Sequence, residues 1–162
     1  MTDKELFVAT VADEIPRFEK IFKALPQDKS DYRPDPKART AMELAGVIAS
    51  EAKMFSVFLK TGALDFGTAP AASATTFAGL SDEMKSGLGD AQAIASTMAD
   101  SDWSSEAKMI MDGKEAWKTT KGKFAIGFLL DLIHHRGQLS TYIRPMGGKV
   151  PVIYGPSADT NE

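Results

Sequence analysis

KFAIGFLLDLIHHRGQLSTYIRPMGG, residues Lys123 to Gly148, decides how the chain is read. Phe124, Phe128, Leu132, Leu139 and Tyr142 recur at helical spacing, which predicts a long helix with a mostly apolar face. Asp131 and His135 stand four residues apart within that face, one turn along the same side. A carboxylate and an imidazole so placed can point at one atom. Both are ordinary ligands for a divalent transition metal. Two ligands do not hold an ion firmly, so a third has to come from elsewhere in the chain.

The helix is expected to begin at Lys121 and to close on Gly147 as its C′ residue. Gly137 is expected to let a neighbouring helix approach closely. Upstream, residues 101–121 are the least legible. Trp103 and Trp117 flank AKMIMDGKEA, in which Asp112-Gly113 is a hairpin-turn pair, and the hairpin is left open. Downstream, KVPVIYGPSADTNE is interrupted by Pro151 and Pro156. It is expected to lie extended on the surface, anchored by Val152, Ile153 and Tyr154.

Three further helices are predicted. Thr2 or Asp3 can cap the first, whose stripe is Phe7, Val11, Phe18, Ile21, Phe22 and Leu25, with Pro26 ending it. Pro16 inside the pattern removes a donor, so a kink or break is expected near residues 12–16. PQDKSDYRPDPKAR, residues 26–39, reads as a turn-rich surface connection in which Tyr32 packs back on the helices. Thr40-Ala-Met-Glu43 is a capping box, and its helix runs to about Lys60 before Gly62 stops it. Its stripe is Leu44, Val47, Ile48, Met54, Phe55 and Phe58. Glu51 falls within the stripe, so its carboxylate must be paired, protonated, at a cavity, or at the stripe's edge reaching water. Residues 61–79, rich in Ala, Gly, Thr and Ser, read as a long crossover. Ser81 is expected to start the third helix, with Met84, Leu88, Ala91, Ile94 and Met98 as its stripe.

Composition sets the class. At 162 residues the chain is expected to be one domain, 1–162, large enough for a real core. A hydrophobic share of 43% and a charged share of 25% are those of an ordinary globular protein. A net charge of −3 gives no basic footprint for nucleic acid. The absence of cysteine excludes disulfides, thiolate ligands and a cysteine nucleophile, and fits the expected cytoplasmic location. No signal-peptide core and no run of about 18 apolar residues is present, so no membrane span is expected. Nucleophile elbows and phosphate-binding glycine loops are also absent. Four amphipathic helices with a long crossover predict an all-α four-helix bundle, the kind of fold that builds ligand and metal sites from facing helices. Phe and Met in excess of one bundle's seam point to a two-fold homodimer.

The run HHRGQLSTYIRPMGGKVPVIYGPSAD resembles the C-terminal signature of the DinB-like family of helical-bundle proteins. YRPDPKARTAMELA is similar to that family's loop into its second helix. The resemblance implies a four-helix bundle with up-down-down-up connections, usually dimeric. It implies a divalent metal held by three histidines, one in the second helix and a His-x-x-x-His pair in the fourth. It also implies kinship to thiol-dependent S-transferases and a thiol-dependent maleylpyruvate isomerase. Carried over by position, the second-helix histidine falls on Val47, which binds no metal; the first of the pair falls on Asp131, which can; and His135 matches. His134, about 100° around the helix, is not expected to share the site. Glu51, one turn beyond Val47, is the candidate third ligand.

Two readings follow. One is a weakened zinc or nickel site at Asp131, His135 and Glu51. The other is a buried polar network without metal, in which Asp131 bonds His135 or Arg136, and His135 bonds Tyr142 or Glu51. The corresponding functions are a metal-assisted thiol S-transferase, or a non-enzymatic bundle with a degenerate site that binds a small molecule or a partner.

Overall fold

The computed structural model describes residues 1–160. Helix α1 (Asp3–Ala24) opens on a capping box in which Thr2 Oγ1 accepts from the Glu5 N–H and Glu5 accepts from the Thr2 N–H. Its expected stripe is buried. The helix runs through Pro16 without the expected break. Val11 and Phe18, fully buried on either side, hold both halves to the core and offset the single lost donor.

Residues 26–39 contain one 3-10 turn, Gln27–Lys29, and Tyr32 packs edge-on against Tyr142 at 5.6 Å. Helix α2 (Ala41–Thr61) carries the expected capping box at Thr40 and Glu43 and ends at Gly62, whose φ of +71° closes it in the left-handed region. Helix α3 (Phe77–Thr97) is capped by Thr76 rather than Ser81, because buried Phe77 and Leu80 extend the apolar stripe toward the N-terminus. A short helix, α4 (Asp100–Trp103), precedes the hairpin. Helix α5 (Lys121–Ser140) begins as expected but ends at Ser140, well before Gly147. Turns follow, and Gly147, with φ +91°, closes those turns and not the helix.

The expectation of an entirely helical domain is corrected by a small sheet. Strands β1 (Ala63–Asp65), β2 (Glu106–Met111) and β3 (Lys114–Thr120) lie in the order β1-β2-β3, parallel then antiparallel. Asp112 and Gly113 both have positive φ, +51° and +72°, the backbone of a two-residue hairpin turn. The crossover from α2 to α3 therefore contributes a strand.

Helices α3 and α5 each pack against both α1 and α2, enclosing one contiguous apolar cluster. At Gly87 an added Cβ would lie 2.5 Å from the Ala52 carbonyl, so α2 and α3 meet backbone to backbone there. The close approach expected at Gly137 is not found: that position faces open space.

Two buried charges, Glu14 and Arg136, join α1 to α5. Arg136 bonds Glu14 and donates to Tyr154 Oη at 2.6 Å, while Tyr154 donates to Glu14 at 3.0 Å and Arg17 adds a 2.6 Å contact. The tail is irregular, as expected, and Tyr154 fastens it over this network.

Glu83 fixes the crossover: it receives Lys53 Nζ at 3.0 Å, the Ser73 N–H at 3.0 Å and the Ala74 N–H at 2.8 Å. The Lys53 bond first, then the backbone donors, hold its carboxyl down to about 2. A depressed acid stabilises the fold above its unfolded value of 4.5 and loses that contribution as pH falls toward 2. Denaturant titrations across that interval should show wild-type stability falling more steeply than that of Glu83→Gln; parallel curves would refute the assignment.

Candidate metal centre

Asp131 and His135 project from the α5 face that meets α2, and Glu51 comes from α2 opposite them. His135 Nε2 lies 3.4 Å from Glu51 Oε1 and 3.8 Å from Asp131 Oδ2. One ligand atom from each of the three residues falls within 4.8 Å of the others. Two ligands bound 2.0–2.2 Å from one tetrahedral ion stand roughly 3.3–3.6 Å apart, so the two distances from Nε2 are close to those of a shared ion. Glu51 and His135 are largely enclosed, with side chains 12% and 15% exposed, whereas Asp131 is 53% exposed and forms the solvent side.

The second oxygen, Glu51 Oε2, is buried without a hydrogen-bond partner. Burial pushes the Glu51 carboxyl up to about 7, with Asp131 adding to the rise and His135 opposing it. A carboxylate removed from water with one oxygen unsatisfied is costly in any protein. Its orphan atom and its two neighbouring ligands make a donor set that fits a divalent ion.

Gln138 orients the imidazole. Its amide oxygen is 3.0 Å from His135 Nδ1, and its amide nitrogen is 2.9 Å from His134 Nε2. With the amide oxygen toward Nδ1, this contact suits the Nδ1–H tautomer, which would leave the Nε2 lone pair toward Glu51 and Asp131. A second contact on the far ring nitrogen is the usual way a ligating histidine is held. Gln138 lies at i+3 from one histidine and i+4 from the other, so the spacing that brings them together was available in the sequence. Spacing alone does not tell such an orienting amide from a fold determinant or an interface group.

Of the network contacts expected without metal, those of His135 to Glu51, at 3.4 Å, and to Asp131, at 3.8 Å, are present. Arg136 turns instead to Glu14, and the Tyr142 hydroxyl donates to the Arg39 carbonyl at 3.2 Å. Val47 lines an open cleft of about 700 Å³ together with Glu51, Ser50, Met54 and Phe66. An adjoining cleft of about 940 Å³ is lined by His134, Gln138 and Tyr142. The segment Lys37–Arg39 lines both. No helix among the described residues is long and apolar enough to cross a membrane.

A mostly helical fold with a small sheet and a His/carboxylate group between two helices is the class of protein the geometry defines. Among solved structures, the chain is similar to the DinB-like protein YjoA of Bacillus subtilis, with a TM-score of 0.71 and 21% identity over 91% of this chain and 96% of that one. It is similar also to a DinB-like protein of Bacillus cereus ATCC 10987, with a TM-score of 0.70 and 18% identity over 93% and 97%. The chain thus has the fold of DinB-like proteins over nearly its full length. No family sequence profile matches it, and no curated protein does.

An enclosed, unsatisfied carboxylate should weaken the metal-free fold. Glu51→Gln keeps the shape and removes the charge, so at pH 8 in the presence of chelator it should melt higher than wild type. Each kcal/mol gained raises Tm by about 2–4 °C in a protein of this size. A lower Tm would mean that Glu51 serves the fold.

Proposed function

We propose that the chain is a divalent-metal-binding helical protein in which Glu51, Asp131 and His135 hold one ion at the edge of a small-molecule cleft. The up-down-down-up order of the long helices belongs to the same proposal, as does a single domain. The observation that carries the reading is the buried Glu51 carboxylate, whose Oε1 lies 3.4 Å from His135 Nε2 while its Oε2 has no hydrogen-bond partner. Among the ions, zinc or nickel suits one imidazole with two carboxylates. Once bound, such an ion supplies Lewis acidity and lowers the pKa of a thiol or water held beside it. The chain's own residues do the rest. Gln138 fixes the ring tautomer, Val47 shields one wall, and Asp131 leaves the solvent side open.

This reading revises the degenerate site implied by Val47 standing where the DinB-like pattern has histidine. Glu51, one turn on, replaces the missing ligand. Thiol S-transfer is the second reading, favoured by the 700 Å³ cleft onto which Glu51 opens. A homodimer is proposed on the exposure of Val57, Leu130 and Trp117, which lie on α2, α5 and β3.

Untagged wild-type protein dialysed against trace zinc should retain close to one equivalent. Glu51→Gln and His135→Ala should retain little, and Gln138→Ala should bind about 10–100-fold more weakly. Val47→His should bind at least as tightly as wild type. Wild-type protein that retains no zinc would overturn the proposal and leave the polar network. For association, light scattering should give twice the chain mass for wild type and the monomer mass for Leu130→Asp; a wild-type monomer at tens of micromolar would refute the dimer.

A further inference from the structure

The cleft beside Glu51 has an imbalance of charge. Arg33 is 3.8 Å from Glu43, so that pair is neutral. Glu43 also caps α2 through the Thr40 N–H. Lys37 and Arg39 have no ion-pair partner among the described residues, although both line the cleft that contains Glu51. Glu51 lies on the cleft wall, with Asp131 beside it, and a divalent ion between them would cancel both; Asp35, in the same loop, accepts from the Lys37 backbone N–H at 2.8 Å. The Lys37 and Arg39 side chains line the opening without an ion pair among the described residues.

The backbone that carries the two cations is held in place. The Lys37 N–H donates to Asp35 Oδ1 at 2.8 Å, and the Ala38 N–H to the Asp35 carbonyl at 2.9 Å. The Arg39 carbonyl accepts from Tyr142 Oη at 3.2 Å, and the Ala41 N–H donates to the Tyr32 carbonyl at 2.8 Å. Tyr32 is itself packed on Tyr142. The loop is thus tied to α2 and to the turns after α5 before any ligand arrives, which reduces the ordering entropy of binding. Arg39 is near enough to both Glu51 and Tyr142 for its charge to be felt at each. Its planar fork matches a carboxylate.

We propose that Lys37 and Arg39 form an anion subsite, and that the cleft takes a small organic acid whose carboxylate they bind. This deepens the metal-site reading by naming a substrate class: the rest of such a molecule would extend past Val47 and Met54 toward Glu51. Carboxylate and phosphate share the charge, so the probes must separate them.

Isothermal titration with succinate and, separately, inorganic phosphate tests this on zinc-loaded and zinc-free wild-type protein and on Lys37→Gln/Arg39→Gln. Both substituted residues are exposed and lie outside the zinc group, so the variant should keep its fold and its equivalent of zinc. Succinate should bind wild type in preference to phosphate. The double substitution should weaken it roughly tenfold to a hundredfold, the range for losing charged hydrogen bonds. If zinc is retained and succinate binds the variant as well as wild type, or binds neither, the subsite is refuted while the metal site stands. If zinc is not retained but succinate still binds and depends on Lys37 and Arg39, the metal reading fails and the subsite survives. Preference for phosphate would overturn the assignment to organic acids.

Discussion

The geometry of the centre depends on one buried ion pair outside it. Arg136 follows His135 directly, so the two side chains leave α5 about 100° apart. Arg136 is enclosed against Glu14, 4.7 Å over the Phe18 ring, and reached from outside only by the Tyr154 hydroxyl. A guanidinium so placed has no second position, because leaving it unpaired in the core costs about 3–5 kcal/mol. With Arg136 pinned to α1, α5 cannot rotate. His135 and Asp131 must then face α2, where Glu51 is. The tail, through Tyr154, closes the same network, so residues remote from the cleft help set its rotation.

Helix α2 supplies the opposite wall under a different constraint. Gly87 lets α3 press against its backbone at Ala52, next to Glu51. That contact fixes how deep Glu51 sits. The depth explains why the carboxylate is desolvated and why its second oxygen finds no donor. A fold selected for stability alone would place an apolar side chain there. An unsatisfied acid at that depth is costly unless something else supplies its missing hydrogen bond.

Much of this was legible from residue spacing. The stripe of α1 and most of that of α2, the capping box at Thr40 and Glu43, the Gly62 stop and the shared face of Asp131 and His135 follow from periods and end signals. Those signals are local, and so they survive without knowledge of the partner helix. What failed was decided by partners. Phe77 and Leu80 draw α3 past Ser81 because the core reaches that far. α5 stops at Ser140 although apolar spacing continues through Tyr142, since Tyr142 is buried from a turn as readily as from a helix. The strand β1 is three residues long and exists only by pairing with β2, so no period could announce it.

Glu14 and Glu51 show how one sequence signal divides into two roles. Each is an acid inside an apolar helical stripe, and each is enclosed. Only Glu51 was marked as a candidate, because it falls within the α2 stripe on the helix expected to face Asp131 and His135. In the fold their surroundings part. Glu14 meets Arg17, Arg136 and the Tyr154 hydroxyl, and both of its oxygens are bonded. Glu51 has one oxygen near an imidazole and the other near nothing. A buried acid with its donors complete is held by the protein for the protein's own sake. A buried acid left incomplete, on the wall of a cleft and 3.4 Å from an imidazole, has its second oxygen unsatisfied by the chain itself.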